Sequence, residues 1–377
     1  MFPNAILNET LTLAQMSMVP FDADLMSPFP IASDPSSKNE ATHNVLVALT
    51  STDGISGVGE AAPFHGISGD TQETVLQELH SVAPHLLHSP MSCVELEQRL
   101  RRHLRFGSSR AAVEMAFLDL LAKKRKEPLY RLLNPKAWPH PAQTDITIPL
   151  VDKSMAVTLA EKYKEAGFSR IKVKVGDDRQ ASFERVVAIS DVYRRERSEK
   201  PLELLIDANE GFSSIEAIAL MRRLFVAHIV PKIFEQPVSR SDLPGLKLVT
   251  EDAHQWGTRV YADEAVYTAD DARKLAEEQA CDGINLKLMK QGGILEALRV
   301  VEVAQQHGLS LMIGGMMETR LAMTAAFHMA LAVGSVHWYD LDTPLLLEER
   351  VLEGGLTYAG PRLALPEMKT GIGVTFS

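Results

Sequence analysis

From about residue 144 onward, one pattern repeats eight times: a short β-rich run followed by an amphipathic helical stretch. The runs are "DITIPL" (145–150), "RIKVKV" (170–175), "ELLIDAN" (203–209), "KIFEQP" (232–237), "RVYADE" (259–264), "GINLKL" (283–288), "SLMIGG" (310–315) and "HWYDLD" (337–342). Counted from Lys174, their ends recur every 24 to 33 residues. That spacing leaves room for one helix per strand, so the strands must run parallel, and eight such units predict a TIM-type (β/α) barrel.

The region before the repeat reads as α+β. "LTLAQMSMVPF" and "HNVLVALTSTDGISGVGEAAPF" are strand-like, the second with a Thr52-Asp53-Gly54 turn that signals a hairpin. The Pro-, Ser- and Asp-rich "DADLMSPFPIASDPSSKNE" between them predicts a loop. Helices are expected over 71–87, 93–104 and 109–124, the last with Ser108 and Ser109 as N-cap candidates and lysines near its C-terminal end. The tail "GGLTYAGPRLALPEMKTGIGVTF" is strand-like and expected to return to the first region. The expected fold is therefore α/β: a capping domain over 1–143, a barrel over 144–350, and a C-terminal segment over 351–377 that completes the cap.

The formal net charge of −10 disfavours nucleic acid as a partner, because phosphate binding needs a basic surface. The two cysteines, Cys93 and Cys281, fit a reducing compartment and exclude a cysteine-based zinc site. No run approaches the ~20 apolar residues of a membrane span, and the N-terminus lacks the basic start of a signal peptide. The expectation is a cytoplasmic protein with no membrane partner, forming a homo-oligomer.

In a barrel of this kind the chemistry sits at the C-terminal ends of the strands. Polar residues collect there: Lys172 and Lys174, Asp207 and Asn209, Glu235, Asp263 and Glu264, Lys287, and Asp340 and Asp342. Lysines on a strand commonly guard an exposed edge. Charges ending six strands, each behind an apolar run, are instead the pattern of a site. Asp207, Glu235 and Asp263 form an all-oxygen set suited to a hard cation, expected to be Mg²⁺ with Mn²⁺ as a substitute. Lys174 and Lys287 flank that set and are expected to face each other across the barrel mouth. Desolvation and neighbouring cations would lower their pKa values and make them bases. Lys172 is expected to support the local electrostatics.

"IKVKVG", "IDAN", "FEQP", "ADE" and "INLKLMKQGG", in this order and spacing, resemble the enolase superfamily, and within it the muconate-lactonizing subgroup. The resemblance extends into the first region through "GEAAPFHGISGDT" and "AAVEMAFLDLL". It implies abstraction of a proton α to a carboxylate, with Asp207, Glu235 and Asp263 holding Mg²⁺ and Lys174 and Lys287 as the acid/base pair. "WYDLDTP" resembles the Asp-x-Asp motif of the dipeptide epimerase family, which implies that Asp340 and Asp342 hold the ammonium of a dipeptide substrate. Both are expected to alternate onto one face of the last strand. Lys172, Asp34, Met316 and Glu318 complete the candidate substrate-binding residues.

Where family members acting on Ala-Glu carry an arginine in the capping loop, an ungapped alignment places Asp34, with Asp22 and Asp24 nearby in a short insertion. The reversed charge favours a cationic or apolar second residue over Glu. Same-fold alternatives are a lysine-type cycloisomerase or an o-succinylbenzoate synthase, whose substrates carry no ammonium there. Alternatives of other classes are a non-catalytic, metal-dependent ligand-binding protein and a barrel hydrolase or aldolase using the same carboxylates.

Overall fold

The computed structural model describes residues 4–26, 29–30, 40–176, 178–195, 201–349, 351–366 and 369–376. Asp34 lies outside the described residues.

The first layer is an antiparallel sheet of β1 (Leu11–Leu25), β2 (Ala41–Ser51) and β3 (Ser56–Ala61). The alternation of apolar residues extends β1 through "DADL", so Asp22 and Asp24 lie in a strand paired with β2, and not in the expected loop insertion. Asp22 is occupied there: its carboxylate accepts hydrogen bonds from Gln72 at 2.9 Å and from the His43 ring at 3.0 Å. Helices α1 (Gln72–Leu86), α2 (Cys93–His103) and α3 (Gly107–Lys124) cover the sheet. Thr71 and Ser92 close capping boxes on the first two. The third starts earlier than expected. Ser108 and Ser109 fall inside it, Phe106 precedes it with no side-chain group to cap it, and the Ser108 hydroxyl donates to the buried Asp70 carboxylate. This helix is buried on nearly every side, which fits its run of Ala, Leu, Met and Phe.

Eight parallel strands follow in sequence order: β4 (Ile146–Ile148), β5 (Arg170–Lys174), β6 (Glu203–Asp207), β7 (Ile233–Glu235), β8 (Arg259–Ala262), β9 (Gly283–Leu286), β10 (Ser310–Ile313) and β11 (Val336–Tyr339). A parallel bridge between Thr144 and Tyr339, with Asp145 N donating to Tyr339 O at 3.0 Å, joins the last strand to the first. Helices alternate with the strands, among them α4 (Lys153–Glu165), α5 (Arg179–Arg194), α6 (Ser214–Val226), α7 (Leu243–His254), α8 (Ala269–Glu277), α9 (Ile294–Gln306) and α10 (Arg320–Val333). Inside the barrel, Leu205, Ile233, Tyr261 and Met312 form a small apolar plug of their own. Gly283 lets the Tyr261 ring lie flush, since a Cβ there would sit 2.6 Å from the ring. The plug is the floor on which the polar strand ends stand.

The tail returns to the first layer. Leu347–Glu348 pairs antiparallel with β1, Gly371 O accepts from Leu129 N at 2.8 Å, and the Asp119 carboxylate of α3 accepts from Ile372 N at 2.6 Å. Among the described residues no helix is long and apolar enough to cross a membrane.

Candidate active site

Strand β5 lies between β4 and β6, with Lys172 opposite Thr147 on one side and Leu205 on the other. It is not an edge strand. Alternation turns Lys172 and Lys174 to the same face, and both are buried in the barrel mouth, at 1% and 6% exposure. Buried ammonium groups need counter-charges, and these supply the architecture of the site. Lys172 Nζ lies 3.0 Å from Asp207, 2.9 Å from Glu235 and 2.8 Å from Asp340. Lys174 Nζ donates to Asp207 at 2.7 Å and to Asn209 Oδ1 at 2.8 Å. Lys287, just past β9, donates to Asp263 at 2.7 Å.

These contacts reverse one expectation. Burial acts to lower the pKa of Lys287, but the Asp263 carboxylate and its neighbours outweigh it, and the ammonium is held above its ordinary value. Lys172 is likewise held well above its own by Asp207, Asp340 and Glu235 against the desolvation of burial. The reciprocal effect appears on the carboxylates. Burial raises Asp207 and Asp263, yet the lysines around them bring both below the usual range. Glu235, with less compensation, is pushed up to about 7 by burial and Asp207, and Glu264 up to about 8 by burial and Asp263.

The donor set fits a hard divalent cation. Glu235 Oε2, Asp263 Oδ1 and Glu264 Oε2 are buried carboxylate oxygens without a hydrogen bond. Lys172 and Lys290 approach two of them, at 2.9 and 2.5 Å, but off the hydrogen-bonding direction. Asp207, Glu235, Asp263, Glu264, Asp340 and Asp342 outnumber the four lysines that face them, so the mouth holds more buried carboxyl groups than ammonium groups to pair them. Oxygen-only ligands at adjacent strand ends, with carboxylate oxygens left unpartnered, suit Mg²⁺.

Three neighbours of these groups, Lys290, Asn285 and Gln236, escaped the sequence reading, whereas Asn209 had been placed at its strand end. Lys290, on the short helix Leu288–Gln291, contacts the Asp263 side chain and its backbone carbonyl, and reaches Asn285 O at 3.2 Å. Asn285 donates to Glu235 at 2.8 Å, and Asn209 to Glu264 at 2.9 Å. Gln236 accepts from the backbone N–H of Asp263 and Ala265. Asn209 and Gln236 have φ of 39° and 33°, a strained left-handed backbone placed one or two residues beyond Asp207 and Glu235. The strand pattern carries no signal for such partners. For Lys290 alone, the second lysine of "KLMK" was a visible hint.

Strand β11 stops at Tyr339, earlier than expected, so Asp340 and Asp342 do not alternate along a strand. Asp342 instead precedes the 3₁₀ turn Thr343–Leu345. The turn still converges the two carboxylates: with Asp145 they place oxygen atoms within 4.8 Å of one another. Asp342 accepts from Thr147 N at 2.7 Å, and its carboxyl is pushed up to about 7 by burial and Asp340. One cavity is lined by Lys172, Lys174, Lys287, Asp340, Asp342, Thr147, Met316 and Phe29. Glu318 does not line it. It is buried behind Met316 and accepts a hydrogen bond from Met316 N, and burial with Glu60 nearby pushes it up to about 8.

Two family models match this chain: the mandelate racemase/muconate lactonizing enzyme N-terminal domain over 16–134, and the enolase C-terminal domain-like model over 155–377. An L-Ala-D/L-amino acid epimerase of Populus trichocarpa is 38% identical, across 89% of this chain and 78% of that protein. An L-Ala-D/L-Glu epimerase of Bacillus subtilis is 35% identical, across 88% of each. The structure of a dipeptide epimerase from Enterococcus faecalis, complexed with Mg and L-Leu-L-Tyr, aligns with TM-score 0.87 at 29% identity, over 97% of this chain and all of that one (100%). The chain is thus a member of the enolase superfamily, in its mandelate racemase/muconate lactonizing branch and among the dipeptide epimerases.

Proposed function

We propose that the protein is a Mg²⁺-dependent isomerase that inverts the α-carbon of the C-terminal residue of a dipeptide. The observation that carries this reading is the joint presence, around one cavity, of Lys174, Lys287, Asp340 and Asp342. Asp340 and Asp342 hold the substrate ammonium, which fixes the dipeptide at its N-terminal end. Lys174 and Lys287 then stand on opposite sides of the α-carbon. One takes the α-proton and the other returns a proton to the opposite face, so the proton count is restored after each turnover. Asp207, Glu235 and Asp263 are the residues that would hold Mg²⁺, or Mn²⁺ in its place. Held there, such an ion would supply positive charge to offset the negative charge that builds on the substrate carboxylate when the α-proton is removed. Lys172 holds Asp207, Glu235 and Asp340 in one network and adds a fixed positive charge.

Cycloisomerase and succinylbenzoate substrates carry no ammonium, and the paired carboxylates favour a dipeptide over them. A cationic or apolar second residue is preferred over Glu, supported by the absence of Lys and Arg from residues 1–37 and by buried Phe29 at the cavity. A cytoplasmic location and a homo-oligomeric state belong to the same reading.

The test is incubation of L-Ala-L-Leu, L-Ala-L-Lys and L-Ala-L-Glu in D₂O, with deuterium at the second α-carbon read by mass spectrometry. Deuterium uptake with inversion is expected, together with loss of activity in EDTA and its recovery on adding Mg²⁺. Full activity in metal-free protein, or no uptake from any dipeptide, would sink the proposal. A kcat/KM highest for the Glu dipeptide would refute the preference alone.

A further inference from the structure

Thr144 to Thr147 and Tyr339 to Asp342 form a zipper where the barrel closes. Thr144 Oγ1 donates to Tyr339 O at 3.3 Å and accepts from Leu341 N at 2.9 Å, Asp145 N donates to Tyr339 O at 3.0 Å, and Thr147 N donates to Asp342 at 2.7 Å. Asp145 sits in the middle of this zipper at 2% exposure, with a carboxylate oxygen within 4.8 Å of those of Asp340 and Asp342. Its Oδ1 makes no hydrogen bond. The charged groups that face it are Asp340, Asp342 and Lys172, and Lys172 makes its own contacts to Asp207, Glu235 and Asp340. A third carboxylate in this position would repel the two beside it. A carboxylic acid there would instead donate one hydrogen bond to the pair, with Asp340 as its partner.

We propose that Asp145 is a positioning residue for the substrate ammonium: its carboxyl group, seated behind Asp340 and Asp342, donates a hydrogen bond that keeps that pair charged and aimed at the cavity. Burial, with Asp340 and Asp342 alongside, holds the Asp145 carboxyl well above the ordinary carboxylate range, which favours the protonated form this bond requires. The cradle then presents the Asp340 and Asp342 carboxyl groups to the incoming ammonium, with Lys172 beside Asp340. The inference rests on the dipeptide reading above and deepens it.

The experiment is calorimetric binding, to the Mg²⁺-loaded protein, of the three Ala dipeptides and of N-propionyl-Leu, N-propionyl-Lys and N-propionyl-Glu, which lack only the ammonium. Wild type is expected to bind the dipeptides more tightly than the propionyl compounds. Asp145→Asn, whose amide also donates, should retain dipeptide affinity within about threefold. Asp145→Leu should lose roughly ten- to a hundredfold on dipeptides, the loss expected for a hydrogen bond to a charged group, and leave the propionyl compounds unchanged.

Three outcomes would overturn the inference: equal weakening of both ligand classes by Asp145→Leu, which marks a merely structural role; a loss in Asp145→Asn as large as in Asp145→Leu, which marks a charge requirement; or a wild type that binds both classes equally or neither. Loss of a bound Mg²⁺ in Asp145→Asn would overturn it too, by making Asp145 a metal ligand. If Asp145→Leu does not fold, the Asp145→Asn comparison still decides. A wild type that binds dipeptides through the ammonium but does not invert them refutes the proposed function and leaves this inference standing.

Discussion

Two lysines separated by one residue on β5 have different surroundings, and the difference assigns their work. Lys172 is fixed by Asp207, Glu235 and Asp340 together, which makes it the anchor of a carboxylate network. Lys174 touches one carboxylate and one amide oxygen, and Lys287 one carboxylate. We expect Lys174→Ala and Lys287→Ala each to lower epimerisation by about 10²–10⁴-fold or more, the usual size of a general-base loss. Each variant should still exchange the α-proton of only one enantiomer, because the remaining lysine reaches one face. Deuterium uptake from the L,L and L,D dipeptides separately, followed by NMR, checks this; near-wild-type inversion in either variant refutes the two-base assignment.

At the scale of elements, β3 lies against α3 at glycine-only distance. A Cβ at Gly59 would sit 2.1 Å from Ala112 O and 2.9 Å from Ala116 N, both of them backbone atoms that cannot swing away. Gly59→Ala must therefore push the strand off the helix, at a cost of roughly 1–3 kcal/mol or more. The neighbouring Glu60 shows why the packing matters to the site. Its buried carboxylate accepts from Thr319 N, Thr319 Oγ1 and Ala322 N at the start of α10, and from Asn44 of β2. That carboxylate ties the first layer to the loop that carries Met316. A lower urea midpoint for Gly59→Ala is expected, with a higher KM as the loop loses its anchor. An unchanged midpoint would mean that the layers yield more easily than their contacts indicate.

Across the whole molecule, His328 of α10 is a joint between three chain segments. Its Nδ1 accepts from Tyr130 N at 3.1 Å, and its Nε2 bonds Ile372 O of the tail at 3.1 Å. Full burial lowers its pKa to about 4. The unfolded chain binds this proton near the ordinary histidine value of about 6.5, and the folded protein resists it until about 4. Between those values the unfolded state carries more protons, so stability falls as pH falls. The contribution is fully present above about pH 6.5 and is lost as pH drops through 4. At pH 5 the loss is on the order of 2 kcal/mol. Urea unfolding at pH 7.5 and pH 5 should show a larger drop for wild type than for His328→Gln, which starts less stable but lacks this titration. Equal drops would place the acid sensitivity elsewhere.

The barrel, and the gathering of most candidate site residues at its mouth, were legible in the chain, because strand ends with charges behind apolar runs are local patterns. Local periodicity identified Lys174, Asp207, Glu235, Asp263 and Lys287 as strand-end groups before any contact was known, and the motifs around them placed the family. What periodicity cannot register is which charge lies beside which. Lys287 was expected to have a lowered pKa and instead has a raised one, because Asp263 lies 2.7 Å away on the neighbouring strand. Asp340 and Asp342 were expected on a strand face, yet a turn after Tyr339 brings them together. Asp145 reads in sequence as an ordinary strand start, and Lys290 carries no assigned role there. Closing the barrel sets Asp145 beside residues 340 and 342, about 195 positions along the chain, and buries Lys290 against Asp263. The sequence by itself determined the repeat and the residue types at its ends. Only the tertiary structure decided their protonation and pairing, because electrostatic energy depends on distance and burial, which side chains far apart in sequence acquire only when the barrel closes.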